Sequence, residues 1–380
     1  MSEARWDETR PPEDFYRVLD PDGTLRGKRP VASDVELLSW YRVLVETRVF
    51  EQLCIRMQRR GEVSVAASTL GEEAVGIGAA AALQAGDWCF PSYRQTSAFL
   101  LWNLPIDRMV AGLTGAPPEH INEQLPILDE SPPLVHFVPY TVFLGASIPH
   151  AVGSAMADQL NARKTVTLAF VGDGATSEGD FYEGLNFAGV FKVPLVVIVQ
   201  NNQWSISVPA HRQSAARTFA EKAVAVGLRH ARVDGNDILA VYEKTKEAVD
   251  SARSGGGTTL IEAVTYRIGD HNTSDSADLY RGRQEVEYWQ TLDPLERFER
   301  YMRALGLVNE DGKRTMMESA SERFRAAIAR ARKLPPAPAA LMFANHLIDR
   351  QGQSLRRQEA ELADELGGRN PFASTDDGIF

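Results

Sequence analysis

Between residues 165 and 200 the chain spells a strand, a helix and a second strand in succession, and no other feature restricts its fold so strongly. The runs TVTLAFV at 165–171 and LVVIVQ at 195–200 are short, apolar and rich in β-branched residues, as strands buried on both faces must be. Residues 178–191 between them place Phe181, Leu185 and Ala188 on one face of a 3.6-residue period, which makes a helix. A strand, helix and strand of this length close as a right-handed crossover between parallel neighbours. Two further apolar strands, at 230–233 and 259–264, enclose a helix at 238–252 and extend the pattern. The expected fold class is therefore α/β, a mostly parallel sheet covered by helices on both faces.

The flanks fit around that unit. Residues 1–32 are rich in Pro, Asp, Glu and Arg and read as an extended N-terminal arm packed on something larger. An N-cap-like Ser33 opens a long amphipathic helix that ends near Gly61, and a second helix is expected at 72–83. After Arg281 the pattern turns helical and charged, the segment LPPAPAA at 334–340 breaks it, and a last helix at 355–366 precedes a polar tail. The expected division is an arm at 1–32, an α/β domain at 33–300 and a helical segment with tail at 301–380.

The net charge of -10 speaks against a nucleic-acid-binding surface, which needs clustered Lys and Arg. No apolar run approaches the roughly 20 residues of a membrane span, and the acidic start MSEARWDETRPPEDF has no apolar stretch, so the cytoplasm is the expected location. The two cysteines, Cys54 and Cys89, sit in apolar surroundings and read as buried thiols, not a disulfide framework. No G-x-G-x-x-G opens a helix, which disfavours a nicotinamide site.

The chemistry gathers at the ends of the two central strands. The segment Gly172, Asp173, Gly174 follows the first, and Asn201 with Asn202 closes the second. The crossover brings Asp173 and Asn202, 29 positions apart, to one carboxyl edge. A carboxylate and an amide oxygen are hard ligands, suited to Mg²⁺ that also holds phosphate oxygens. Gly172 and Gly174 leave room for a diphosphate, and a helix N-terminus near Ser177 would add N–H groups and a positive dipole end. Each dipeptide alone is also an ordinary turn; the joint spacing is what favours a ligand. His271, in the polar loop GDHNTSD, is the candidate acid/base, with an ordinary pKa near neutrality. His120, His211, His230 and His346 read as surface or structural residues, and His136 and His150 as hydrogen-bonded ones. Glu72 and Glu73, at a helix start, read as structural.

GDG followed after about 30 residues by NN resembles the thiamine-diphosphate motif, and the surrounding wording, from about residue 33 to 368, is similar to the alpha chain of 2-oxo acid dehydrogenases. FPSYR at 90–94, IPHAVGSA at 148–155 and TYRIGDHNTSDSADLYR at 265–281 carry the resemblance further. It implies that Asp173, Asn202 and the backbone carbonyl of Trp204 hold Mg²⁺, and that Tyr93, Arg94 and Arg267 face the diphosphate of thiamine diphosphate. It also implies that Gly174 and Ala175 line the phosphate site, that Leu144 presents backbone to the aminopyrimidine, and that His271 works at the reacting carbon.

The reaction so implied is oxidative decarboxylation of a 2-oxo acid, with the acyl group passed to a lipoyl carrier. Pyruvate is favoured, and a branched-chain 2-oxo acid or acetoin is the alternative. Implied partners are a beta subunit that supplies the activating glutamate in an α2β2 heterotetramer, in which apolar surface of the long first helix is buried, and a lipoyl-bearing acyltransferase. Three departures stand out. Asn272 and Gly282 occupy positions of phosphorylatable serines in mammalian branched-chain enzymes; residues 141–147 keep few of the groups that bind potassium in some relatives; and Gln200 replaces an arginine, which leaves more of the diphosphate charge to Arg94 and Arg267. The rival from another class is a silent scaffold subunit in which GDG and NN survive as turns.

Overall fold

The structure, a computed structural model, describes residues 10–116, 135–344 and 352–369. His120 and His346, the first nine residues of the expected arm, and the end of the expected tail lie outside the described residues.

Six parallel strands form the sheet: β1 (Trp88–Phe90), β2 (His136–Phe137), β3 (Thr167–Gly172), β4 (Leu195–Asn201), β7 (Arg229–Asp234) and β8 (Thr259–Val264), in spatial order β2-β1-β3-β4-β8-β7. A separate short hairpin pairs β5 (Trp204–Ser205) with β6 (Val208–Pro209). The α/β expectation holds. β3 and β4 are joined by α6 (Gly179–Phe191), and β7 and β8 by α8 (Ile238–Arg253), each within a residue or so of where the apolar periodicity put them. The register pairs Gly172 with Gln200 and Asn201 with Val264, so β3, β4 and β8 end at one carboxyl edge. Leu168, Val196, Val197, Ile198, Leu260 and Ile261 are fully buried in these strands, as apolar runs covered on both faces require.

Helices α1 (Asp34–Arg59) and α2 (Glu73–Ala81) precede the sheet; α3 (Thr96–Leu101) and α4 (Ile106–Leu113) follow β1; and α5 (Ser147–Leu160) leads into β3. The Ser33 start is a capping box, in which the Glu36 carboxylate accepts from the Ser33 backbone and hydroxyl and the Glu36 N–H donates back to Ser33 Oγ. The expectation that the apolar face of α1 awaits a partner is corrected. Leu37, Trp40, Tyr41, Leu44 and Val45 are buried within the chain. On α1 only its first turn exposes a large apolar side chain, Val35 at 77%, whereas on α6 Phe187 and Val190 are 53% and 67% exposed.

The described residues form two compact units. The larger carries the whole sheet, and the smaller comprises Leu53–Ala66 with the described residues from Pro105 to 116 and from Glu322 onward. At the β7 edge of the larger unit, Tyr16 bonds to the backbone of Arg232 and Asp234, and the backbone N–H groups of Val18 and Leu19 donate to Asp237. Among the described residues Cys54 and Cys89 are buried and form no disulfide. Among the described residues no helix is long and apolar enough to cross a membrane.

Candidate active site

The carboxyl edge of β3 and β4 holds two buried carboxylates with open oxygens. Asp173, first after β3, is 2% exposed, and its Oδ2 has no hydrogen-bond partner among the described residues. Burial, helped by the nearby Glu72, pushes its carboxyl up to about 7, against the pull of backbone N–H groups that include that of Asn202. Asp173 and Asn202 are thus neighbours, as the crossover requires. Of the two asparagines that end β4, Asn201 turns away and donates to Glu262 at 2.7 Å, while Asn202 faces the site. Its Oδ1 accepts the backbone N–H of Trp204 at 3.1 Å and its Nδ2 donates to Glu72 at 3.0 Å. The Trp204 indole donates to Glu285 at 2.7 Å.

Opposite this acidic corner stand two guanidinium groups. Arg94, after β1, is 6% exposed and donates through Nη1 to the Ser68 carbonyl and through Nη2 to the His271 carbonyl, the latter at 2.9 Å. Arg267, three residues beyond β8, is fully buried; its Nη2 donates to the Ile206 carbonyl at 2.9 Å and to Tyr280 Oη at 3.0 Å, and its Nη1 lies 3.4 Å from the Trp204 carbonyl. Both guanidiniums approach one imidazole nitrogen: His271 Nδ1 is 2.9 Å from Arg94 and 3.3 Å from Arg267. An arginine has only donors, so Nδ1 must accept and the neutral ring carries its proton on Nε2. The Tyr93 ring meets His271 edge-on at 6.3 Å between centroids.

The near-neutral pKa expected for His271 is corrected. Burial first, then Arg94 and Arg267, push it down to about 4, because a third positive charge beside two arginines is unfavourable. Burial and the neighbouring Arg94 likewise lower Arg267, whose Nε is buried without a partner among the described residues.

The remaining expected residues fall into place unevenly. A Cβ built on Gly172 would meet nothing within 4 Å, so that glycine opens on free space. At Gly174 a Cβ would come within 2.3 Å of Ser205 Oγ, so the close approach of the β5 hairpin itself demands glycine there. Ala175 is buried in a 3₁₀ turn, Gly174–Ser177, and α6 begins only at Gly179, so the helix start expected near Ser177 comes later. Leu144 is 43% exposed; the next residue, Gly145, sits at φ 84°, and a Cβ built on it would meet Glu178 at 2.9 Å and the Ala175 carbonyl at 3.5 Å, which brings this segment to the same turn.

Sequence reasoning missed Glu72. It is 2% exposed and accepts from both Gln200 Nε2 and Asn202 Nδ2; its other oxygen has no hydrogen-bond partner among the described residues and forms a 3.8 Å ion pair with Arg94 Nε. Glu73, by contrast, is tied to Arg48 and to the backbone N–H of Gly71, a structural role. The doubled glutamate was visible, but a helix start explained both members equally. Lys222 was missed as well: buried, it donates to the carbonyl and hydroxyl of Thr176 at 3.0 and 2.8 Å and so pins the 3₁₀ turn.

This arrangement suits a cation beside an anion. Buried carboxylate oxygens without partners are costly unless a positive charge meets them. Among the described residues no three His, Cys, Asp or Glu side chains converge, so an ion here would draw on amide and carbonyl oxygens too, a hard-ligand set that fits Mg²⁺.

An α/β protein with buried carboxylates and arginines gathered at the carboxyl edge of parallel strands is the class that fold and geometry define. The family model for the dehydrogenase E1 component matches residues 41–340. A Mycobacterium tuberculosis protein named 3-methyl-2-oxobutanoate dehydrogenase subunit alpha is 43% identical over 294 residues, which cover 77% of this chain and 78% of the relative. Proteins named pyruvate dehydrogenase E1 component subunit alpha are 39% identical in Acholeplasma laidlawii, over 74% of this chain and 79% of the relative, and 36% identical in Staphylococcus aureus, over 84% of each. The chain belongs to the dehydrogenase E1 component family, oxidoreductases of 2-oxo acids that depend on thiamine diphosphate.

Proposed function

We propose that this chain is the alpha subunit of a 2-oxo acid dehydrogenase, the decarboxylating first component of a multienzyme complex, and that pyruvate is its substrate. The observation that carries the site is the juxtaposition of Asp173, with an unpartnered buried oxygen, and two arginines converging on His271 Nδ1. When bound, thiamine diphosphate supplies the carbon nucleophile that adds to the ketone and takes up the electron pair as CO₂ leaves.

The chain's own residues bind, orient and move protons. Asp173, Asn202 and the Trp204 carbonyl would hold Mg²⁺, and Arg94, Arg267 and Tyr93 would face the diphosphate. Gly172, Gly174 and Ala175 would line it, and Leu144 would offer backbone to the aminopyrimidine. His271, neutral with its proton on Nε2, would give that proton to an oxygen developing negative charge at the reacting carbon. The guanidiniums fix its tautomer and ring orientation.

The activating carboxylate is assigned to a glutamate of a beta subunit in an α2β2 heterotetramer, and the acyl acceptor to a lipoyl-bearing acyltransferase in the cytoplasm. The exposed apolar residues of α6, Tyr182, Phe187, Val190 and Phe191, suit an interface in that assembly. A second reading, a branched-chain 2-oxo acid as substrate, is favoured by the 43% identity to the mycobacterial alpha subunit, while the wording GDFYEGLNFAG favours pyruvate.

The test is reduction of an artificial electron acceptor by the chain reconstituted with its beta subunit, given pyruvate or 3-methyl-2-oxobutanoate, which lose CO₂, or acetoin, which is cleaved without decarboxylation. The expected result is the highest kcat/KM for pyruvate. A higher value for the branched acid moves the assignment to the second reading, and turnover of none of them overturns the proposal.

A further inference from the structure

Glu72 has no part in the chemistry described so far, yet it is buried at 2% exposure and touches a residue assigned to the cation. Its Oε2 accepts from Asn202 Nδ2 at 3.0 Å and from Gln200 Nε2; Gln200 in turn accepts from Gln95 Nε2 at 2.8 Å through its own Oε1. Every donor in this chain of amides points toward the carboxylate. A carboxylate oxygen only accepts, so each amide must present its NH₂ end to Glu72 and its oxygen elsewhere.

For Asn202 that choice decides what the site offers. With Nδ2 held by Glu72, Oδ1 lies on the far side, where it meets the Trp204 N–H with one lone pair and keeps another. Flipped, the same side chain would show a cation two N–H bonds, which repel it. An asparagine has no preference of its own between the two states, and the buried acceptor supplies one. Glu72 also keeps one oxygen without a hydrogen-bond partner among the described residues, and adds negative charge beside Asp173.

We propose that Glu72 is a positioning residue for the cation, holding the Asn202 amide so that its oxygen, not its nitrogen, faces the metal. The inference rests on the assignment of Asp173 and Asn202 to the metal. Groups outside the direct ligand set of this kind are typically worth ~10–100-fold in metal affinity.

The experiment measures Mn²⁺ affinity in the presence of thiamine diphosphate, by titration of free Mn²⁺ in the chain assembled with its beta subunit. Glu72→Met, which can no longer accept, should weaken Mn²⁺ by about tenfold or more. Adding Asn202→Asp to Glu72→Met should restore affinity to within about threefold of the unmutated protein, because an aspartate has an oxygen at both ends and needs no orienting group. A merely structural role for Glu72 would not be repaired at residue 202. If Glu72→Met fails to assemble, Asn202→Asp alone decides: beside an intact Glu72 it should weaken Mn²⁺, since two carboxylates would face each other, although it adds a charged ligand. Unchanged affinity in Glu72→Met, no recovery in the double variant, or tighter binding in Asn202→Asp alone overturns the proposal. Asp173→Ala separates the failures: if it abolishes Mn²⁺ binding while Glu72→Met does not weaken it, only the role of Glu72 falls. If Asp173→Ala binds as before, the metal assignment falls with it.

Discussion

Two buried clusters of charge in the larger unit look alike in composition and differ in completeness. Beside β7, Asp237 accepts four backbone N–H groups, those of Val18, Leu19, Leu239 and Ala240, and Asp234 accepts from Arg17 and Arg297. Arg297 spends its remaining donors on the carbonyls of Leu19 and Asp20. At the carboxyl edge of β3 and β4, Asp173, Glu72 and Arg267 each keep a buried polar atom without a hydrogen-bond partner among the described residues, that of Glu72 lying 3.8 Å from Arg94 Nε. Burial raises the pKa of both Asp237 and Asp173, so a shifted pKa does not separate them. Satisfaction does. The first cluster fastens residues 16–19 to the sheet, and the second is left open to receive charge from outside.

The largest expected effect follows from that contrast. Asp237→Ala leaves four buried backbone N–H groups without their acceptor and should cost about 3–5 kcal/mol in denaturant unfolding. Asp173→Asn should cost less than about 1 kcal/mol, or stabilise, since it removes an unmatched buried charge. Equal losses in both would erase the distinction.

Next in size, Arg267→Met should weaken thiamine diphosphate by roughly tenfold to a hundredfold in a binding titration, the worth of charged hydrogen bonds of about 1.5–3 kcal/mol. Unaltered affinity would return Arg267 to a structural role.

A third expectation concerns protons. With its folded pKa pushed down to about 4, His271 should stay neutral in the cofactor-free protein well below pH 6 in histidine-resolved NMR. The sign follows: the unfolded histidine takes up its proton first, so this group's share of stability is present above about pH 6.5 and is lost as pH falls toward 4. Thiamine diphosphate should move the pKa back up, because phosphate oxygens cancel the guanidinium field; an unmoved resonance would place the diphosphate elsewhere. The smallest effect is expected for Trp204→Phe, about 1 kcal/mol of stability from the lost Glu285 bond, with metal affinity preserved because the backbone carbonyl remains.

The sheet was legible because burial on both faces leaves uninterrupted apolar runs at 165–171 and 195–200, and the spacing of Asp173 and Asn202 then followed from topology. β1 and β2, three and two residues long, are too short to carry a period. Glu72 was illegible for another reason: its bond to Asn202 spans 130 positions, and no local pattern marks such a contact. His271 itself was legible, but its lowered pKa was not, since Arg94 reaches its ring from 177 positions away, and the need for glycine at Gly174 is set by Ser205 in the following hairpin. Local periodicity reaches the elements; pairing of buried charge depends on what the fold brings together.

The most direct measurement is an isothermal titration of thiamine diphosphate into the chain assembled with its beta subunit, with Mg²⁺ and with a chelator, for the unmutated protein and for Asp173→Asn. The expected result is binding that requires Mg²⁺ and falls by at least about a hundredfold in Asp173→Asn. Binding of equal strength with the chelator, or in the variant, would contradict the assignment of the open acidic corner to a metal that holds the diphosphate.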